Sequence, residues 1–289
     1  MSDDESARHE EMRRACAGVF SRAAATYDHV GPRFFTDFGC RLVALAGIAR
    51  GARVLDVATG RGACLFPAAE QAGPEGHVTG IDLAEPMVTA TAAEIRARGL
   101  AQAEVLVMGA EQLDFPDASF AVALCGFGIF FLPDPWRALA EWRRVLRPGG
   151  RLALSTWGGR DERWRWLNDL LNRYLPREPG PESSRSPARP APVFHNAEGL
   201  EALLGEAGFV AIDVLREEAE YIYASEDDWW QTQYSHAARD AMEEIEQRHG
   251  LEGLARFKGE AFAGLQTLRR PDGTIPQRWI PLYTVATKG

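Results

Sequence analysis

The chain has 289 residues, which suits one large α/β domain with added elements or two small domains. Hydrophobic residues make up 46% and charged residues 25%, the composition of an ordinary globular protein. The 32 basic and 41 acidic residues give a formal charge of -9, which argues against a nucleic-acid-binding protein or one held on anionic lipid.

The cysteines and the N-terminus indicate a reducing compartment. None of the four cysteines forms a Cys-x-x-Cys pair or lies near a histidine at metal-ligand spacing, so we expect reduced thiols and no metal site. Residues Met1–Glu11 are charged and lack the apolar core of a signal peptide. No apolar run approaches the length of a membrane span. We therefore expect a cytoplasmic protein with no membrane span.

The first fifty residues predict two helices. Apolar residues recur at helical spacing from about Ser6 to Thr26. The turn-rich stretch Tyr27–Pro32 interrupts this pattern, and a second helical stretch runs from about Phe34 to Ile48.

From Ala52 onward, short apolar runs alternate with helical patterns. This alternation predicts right-handed crossovers and a mainly parallel sheet, which binds ligands at the carboxyl ends of its strands. The predicted strands are Ala52–Val57, His77–Leu83, Glu104–Met108, Phe120–Phe127 and Arg151–Trp157.

After Trp157 the alternation lapses. Residues Pro176–Pro192 are rich in proline, serine and arginine and predict an exposed loop. Ser225–Gly250 predicts a long helix with a capping box at its start, and a further helix runs from about Leu251 to Leu268. The last strand, Leu282–Lys288, is a plausible antiparallel partner for the strand Val210–Leu215.

Two loops at predicted strand ends carry candidate ligand-binding residues. The loop after the first strand, Asp56–Gly62, contains the small residues that let a ligand approach the backbone. Asp82 ends the second strand, where a carboxylate can accept hydrogen bonds from both hydroxyls of a ribose. A tight strand–helix turn and a helix N-cap are the structural alternatives for these two features.

Both loops fit a nicotinamide dinucleotide as well as S-adenosylmethionine (SAM). A dinucleotide fingerprint needs a third glycine, which packs the helix against the sheet beside a pyrophosphate. Leu65 stands at that position here. SAM has no phosphate, so the loop favours SAM.

Five segments in order then resemble the class I SAM-dependent methyltransferases, in particular the UbiE-like and natural-product small-molecule group. The resemblance covers about Val19 to Trp157. It implies an α/β, Rossmann-like doubly wound sheet of seven strands in the order 3-2-1-4-5-7-6, with the last strand antiparallel. The segments are VLDVATGRG (54–62), GIDLAEPM (80–87), GAEQLDFPDASF (109–120), ALCGFGIFFLPDP (123–135) and VLRPGGRL (145–152).

The resemblance also implies a division of the chain. Residues 1–50 would form an N-terminal helical lid, and residues 51–158 the SAM-binding core. Residues 159–196 and 222–275 would be helical insertions that cap the site and bind the substrate. Residues 197–221 and 276–289 would supply the remaining core elements.

Cofactor contacts carry over from the family by matching positions. Asp56 and the loop containing Ala58, Gly60 and Gly62 would hold the methionine portion of SAM. Asp82 would bind the ribose. The remaining cofactor contacts would be Leu83 and Met87 at the adenine or ribose, Gly109, Ala110 and Glu111 at the adenine edge, the carbonyl of Cys125 at the amino group, and the lid tyrosine Tyr27.

Two positions depart from the family pattern. Ala58 stands where a glycine is usual, which still allows close backbone approach. Gly109 replaces the usual aspartate that bonds the adenine amino group, and backbone groups or water would have to replace that contact.

Methyl transfer from SAM needs alignment of the methyl group with the attacking atom, exclusion of water and in some cases a general base. Its other product is S-adenosylhomocysteine (SAH). The candidate bases are His29, His195 and His236. Aromatic residues outside the strands suggest a bulky apolar or aromatic small molecule as the acceptor, such as a quinone precursor or secondary metabolite. The candidate acceptor contacts are Phe20, Phe130, Trp230 and Tyr234.

Other functional classes agree with the sequence to different degrees. Enzymes that methylate base amines or arginines resemble patterns that Cys125–Gly128 does not match, so those classes are disfavoured. A SAM-binding cyclase or binding module and a nicotinamide-dependent reductase stay open. The identity of the acceptor, the atom methylated, the need for a base and the oligomeric state, including a homo-oligomer, are also left open.

Overall fold

The computed structural model describes residues 3–176 and 192–289. The predicted loop Pro176–Pro192 lies outside the described residues except at its two ends. Within those ranges, no helix combines the length and the apolar character that crossing a membrane requires.

The centre of the fold is one mixed sheet of eight strands. Its order is β3-β2-β1-β4-β5-β8-β6, with β7 paired to β8, and β8 is antiparallel to β5, β6 and β7. The strands are β1 Arg53–Val57, β2 His77–Asp82, β3 Ala103–Val107, β4 Phe120–Gly126, β5 Leu146–Arg160, β6 Phe209–Arg216, β7 Ala219–Tyr223 and β8 Ile275–Lys288.

This topology confirms the predicted fold class and the antiparallel last strand. The one addition is β7, a five-residue strand. Strand β8 begins at Ile275, seven residues before the predicted strand Leu282–Lys288. Strand β7 pairs only with this additional segment, residues 275–281, which is the outer half of β8. Because that outer half is interrupted by Pro276, Gln277 and Arg278, the sequence pattern does not reveal it.

Nine α-helices are assigned in the described part of the chain, and they are distributed around the sheet. They are α1 Asp3–Ala23, α2 Phe34–Ala46, α3 Leu65–Ala72, α4 Glu85–Ala97, α5 Pro135–Val145, α6 Arg165–Tyr174, α7 Ala197–Glu206, α8 Glu226–Gln233 and α9 Arg239–Gln266.

Successive residues of a strand point to opposite faces, so the sheet has two cores. On one face, Phe38 and Leu42 of α2 pack with Val54 of β1. On the other face, Trp142 of α5 packs with Leu55 of the same strand. Both faces are therefore covered, as the nearly continuous apolar runs of β1 and β4 require.

The segment after β7 differs from the predicted single long helix. Ser225 caps α8 as predicted, accepting a hydrogen bond from the N–H of Asp228 at 3.1 Å. The helix then ends at Gln233, and α9 begins at Arg239. At Gly250, where the sequence predicts a helix to end and another to follow, φ is 69° and α9 consists of two helices joined across a kink. The break between α8 and α9 places His236 on a turn.

The N-terminal helix α1 is tied to the rest of the molecule near its C-terminus and at its middle. Near its C-terminus, Arg22 pairs with Glu243 of α9 at 2.6 Å. The guanidinium of Arg239 also donates to the carbonyl of Arg22 at 2.9 Å. At the middle of the helix, Arg13 pairs with Glu111 at 2.6 Å. Helix α1 thus bridges the α9 segment and the loop that follows β3.

Candidate cofactor and acceptor site

A cavity of about 1210 Å³, including its open mouth, lies at the carboxyl ends of β1, β2, β3, β4 and β5. This is the edge of the sheet at which the sequence predicts ligand binding. One end of the cavity is lined by the loops after β1, β2 and β3. The other end is walled mainly by aromatic rings from α2, β5, β8 and the loop after β4. Among the predicted site residues, those that line it are Phe20, Tyr27, Ala58, Gly60, Asp82, Leu83, Met87, Gly109, Ala110, Glu111, Phe130 and His236.

Asp82 joins two of these loops. Its Oδ2 accepts from the N–H of Gly60 at 2.9 Å, and its Oδ1 accepts from the N–H of Ala84 at 2.9 Å. Burial raises the pKa of Asp82, and the hydrogen bonds from Ala84 and Gly60 oppose that rise. Each carboxylate oxygen can accept further hydrogen bonds, so two adjacent hydroxyl donors fit this group.

The loop after β1 is held in an unusual conformation. Ala58 has φ of 55°, in the left-handed region that favours glycine. The hydroxyl of Thr91 donates to the carbonyl of Gly60 at 2.8 Å and fixes the next turn. A Cβ on Gly128 would lie 2.8 Å from the Cβ of Ala58, so the loop after β4 approaches this loop closely.

Asp56 is fully buried beneath the same loop. Its Oδ2 accepts from the hydroxyl of Thr59 at 2.6 Å. Burial raises the pKa of Asp56 to about 7, with a smaller contribution from the nearby charge of Asp82. Asp56 and Gly62 line a second cavity on the α3 side of the loop, which also contains His29 and Arg61.

The loop after β3 is fixed from two directions. The indole N–H of Trp142 donates to the carbonyl of Ala110 at 2.9 Å. The carboxylate of Glu111 accepts from the N–H of Asp134 at 2.6 Å and from Nε of Arg13 at 2.6 Å. Glu111 is only 4% exposed, so the carboxylate of this pair is shielded from solvent, and the pair holds α1 against the cavity.

The aromatic end of the cavity is a continuous set of rings. Phe127 stacks on Trp157 with centroids 4.1 Å apart, Trp157 contacts Trp279 at 4.8 Å, and Trp279 stacks on Phe34 at 5.0 Å. Phe127 has φ of 54°, which turns the chain sharply after β4 and is an uncommon conformation for a bulky residue. Trp157 and Trp279 come from neighbouring strands, so the sheet itself builds this wall.

The three candidate histidines lie in different places. His195 is exposed and does not line the cavity. His29 is exposed at the second cavity. His236 lines the first cavity beside Phe34 and Phe35, with ring centroids 5.9 and 6.4 Å away. Burial lowers the pKa of His236 to about 4, so its ring is neutral at neutral pH.

Three further predicted residues lie outside the lining of the first cavity. Cys125 is fully buried within β4, and only its neighbour Gly126 reaches the cavity. Trp230 and Tyr234 contact each other at 5.7 Å and pack with α6 and α9 in a separate core. Their helical spacing is also the spacing of core residues, and the structure does not bring them to the first cavity.

Sequence patterns missed several lining residues. Trp279 belongs to the outer half of β8, which the sequence pattern does not predict. The pattern predicts Trp157 as a strand residue and gives no sign that it lines the cavity. Arg13 gave no signal because its partner, Glu111, is 98 residues away in the chain.

The chain matches known proteins over this same region. The family model described as a methyltransferase domain matches residues 54–150. The aklanonic acid methyltransferase DauC of Streptomyces sp. strain C5 is 44% identical over 138 residues, which are 48% of this chain and 63% of DauC. The demethylmenaquinone methyltransferase of Listeria welshimeri is 34% identical over 162 residues, which are 54% of this chain and 69% of that enzyme.

A solved structure resembles the fold over a longer stretch. The YcgJ protein of Bacillus subtilis matches with a TM-score of 0.57 and 19% identity, covering 87% of this chain and 98% of that one. These similarities show that the chain belongs to the class I SAM-dependent methyltransferases. The match reaches less than two thirds of the length of DauC.

The cavity fits the family's cofactor, SAM. The carboxylate of Asp82 lines the cavity where a ribose could reach it, and the open backbone at Gly60 leaves room, since a Cβ there would meet nothing within 4 Å. The cofactor end also contains an unfilled position, because a Cβ on Gly109 would likewise meet nothing within 4 Å. This is the position at which the family usually carries an aspartate.

Replacing Gly109 with aspartate is expected to tighten SAH binding about 3- to 10-fold, the value of one added hydrogen bond to the adenine amino group. Calorimetric titration with SAH measures the change. Gly109→Ala is the matched control, since it adds a Cβ without a carboxylate. The inosine analogue of SAH, which lacks the amino group, should show no gain. Equal affinity of the two variants for SAH would contradict the assignment.

Proposed function

We propose that this protein transfers the methyl group of SAM to a small, bulky apolar or aromatic acceptor and releases SAH. The observation that carries the proposal is the two-ended cavity. The carboxylate of Asp82 lies at one end, and the rings of Phe127, Trp157 and Trp279 wall the other. DauC and the Listeria enzyme, both named for small organic substrates, support an acceptor of this class.

The residues of the chain have separate roles in this proposal. Bound SAM supplies an electrophilic methyl group on a sulfonium. Asp82 and the loop containing Ala58 and Gly60 hold the nucleoside and methionine portions, which fixes the direction of the methyl. The aromatic wall holds a flat acceptor by ring stacking and excludes water. Helix α1 covers the cofactor end through the Arg13–Glu111 pair.

The test is incubation of the protein with SAM carrying a labelled methyl group and a panel of aromatic acids, phenols and hydroxyquinones. Release of SAH together with a labelled organic product is the expected result. Trp157→Ala should lower kcat/KM about 10- to 100-fold, because it removes stacking area worth about 1.5–3 kcal/mol. Met12→Ala, at an exposed residue of α1, is the matched control for truncation. Turnover of an acceptor without transfer of label would overturn the proposal.

A further inference from the structure

We propose that His236 donates its Nε2–H to an ionised oxygen of the acceptor and holds that oxygen for attack, and that it removes no proton. This inference rests on the methyl transfer proposed above. It assigns the acceptor to the aromatic acids, meaning carboxylic acids or hydroxyls of comparable acidity.

The proton on the neutral His236 ring is on Nε2, because Nδ1 is occupied as a hydrogen-bond acceptor. Its Nδ1 lies 3.2 Å from the backbone nitrogen of Ala238. A backbone N–H can only donate, so Nδ1 is the acceptor and carries no proton. In a neutral imidazole the single proton is then on Nε2.

The two ring nitrogens of His236 have different surroundings. Nδ1 is turned towards the backbone of its own turn, between α8 and α9. Within the described residues, no protein atom accepts from Nε2, although the ring lines the cavity beside Phe34 and Phe35. The Nε2–H is therefore a donor without a partner among the described residues, on a ring that lines the aromatic end of the cavity.

The other titratable side chains that line the cavity are either hydrogen-bonded or protonated at neutral pH. Asp82 holds two loops and faces the ribose position, and Glu111 is paired with Arg13. Burial raises the pKa of the Cys16 thiol to about 11 and raises that of Tyr27 as well, so neither is an effective base at neutral pH. The lining residues that the structure describes thus offer no free base at the acceptor end.

These observations determine the kind of nucleophile. An acceptor oxygen that cannot lose its proton inside the cavity must be ionised on arrival, its proton having gone to solvent. That oxygen attacks the methyl carbon of SAM in line, an O–C bond forms, and the C–S bond breaks with its electron pair left on sulfur. No proton moves in the step. The hydrogen bond from the Nε2–H and the positive charge of the sulfonium offset the free-energy cost of moving the anion out of water.

The tautomer is tested without any acceptor. Protein labelled with ¹⁵N-histidine and saturated with SAH is studied by long-range ¹H–¹⁵N NMR, and the His236 signals are identified by their loss in His236→Gln. We expect a proton on Nε2, a bare Nδ1 and no titration down to about pH 5. A proton on Nδ1 with a bare Nε2, or titration between about pH 6 and 8, would make His236 an available base and overturn the proposal.

The acceptor class is tested by binding to the SAH complex. The probes are anthraquinone-2-carboxylate and the equally shaped anthraquinone-2-carboxamide. The carboxylate should bind about 10-fold tighter, as expected for a charge-assisted hydrogen bond. His236→Gln, which keeps an N–H donor, should retain most of this preference, and His236→Phe should lose it. His77→Phe, at the amino end of β2, is the control.

The outcomes separate the two proposals. Equal affinity for the two probes, binding of neither probe, or full preference in His236→Phe would overturn this inference, provided that the variant still binds SAH. If the tautomer and the preference are as expected but no labelled product forms in the SAM assay, the proposed methyl transfer fails alone.

Discussion

Replacing Asp82 with alanine is expected to weaken SAH binding about 100- to 1000-fold, because two ribose hydroxyls lose their acceptor and each hydrogen bond to a charged group is worth about 1.5–2 kcal/mol, at the low end of its usual range. The same change releases the N–H groups of Gly60 and Ala84, which Asp82 holds at 2.9 Å. Calorimetry with SAH and with adenosine measures the effect. Adenosine should lose affinity by a similar factor, since it carries the same ribose.

Two further variants separate loss of the carboxylate from general damage. Asp82→Asn keeps one oxygen acceptor and should weaken binding less than Asp82→Ala. Glu85→Gln removes an exposed carboxylate three residues away that does not line the cavity, and it should bind SAH normally. If Asp82→Ala bound SAH as tightly as Glu85→Gln does, the assignment of the ribose to Asp82 would have to be abandoned.

Replacing Gly39 with alanine is expected to destabilise the fold by about 2–3 kcal/mol, at the upper end for overpacking a tight contact. Gly39 lies in α2, where an added Cβ would be 2.2 Å from the carbonyl oxygen of Ala63. The helix or the loop that follows β1 must then move. Thermal unfolding should show a midpoint lower by about 5–10 °C. SAH affinity should fall too, because the displaced loop is the one that contains Gly60.

Gly259→Ala is the matched control for Gly39→Ala. Gly259 is exposed in α9, and an added Cβ there meets nothing within 4 Å. Alanine should stabilise that helix by about 0.5–1 kcal/mol and leave SAH binding unchanged. Similar melting points for the two variants would show that α2 does not pack against the loop as closely as the structure indicates.

The sequence predicts the central sheet well because its signals are local. Alternating apolar runs and helical patterns identify β1 to β5, and the carboxylates that end β1 and β2 lie where a doubly wound sheet binds ligands. The outer half of β8 escapes detection because polar residues and Pro276 interrupt it. Strand β7 escapes for a related reason, since five residues pairing with that half carry little pattern of their own.

The site is less predictable than the sheet. Positions such as Asp82 and Gly60 follow from short motifs, so the sequence places them at the cavity directly. The acceptor wall depends on contacts between distant parts of the chain, such as Phe34 with Trp279, and a single sequence does not show which rings meet. Trp230 and Tyr234 illustrate the difficulty, because helical spacing cannot distinguish a cap's own core from a substrate wall.

Strand β8 pairs with three other strands along its length. Its inner half pairs with β5 and β6, and its outer half pairs with β5 and with β7, which α8 contacts. Trp279 lies in that outer half and faces the cavity. Two rings of the aromatic wall, Trp157 and Trp279, are therefore supplied by paired strands, whereas Phe34 comes from α2 and Phe127 from the loop after β4. Under the proposed function, exchanges at Trp157 and Trp279 should change the acceptor preference while the pairing of β5 with β8 is kept.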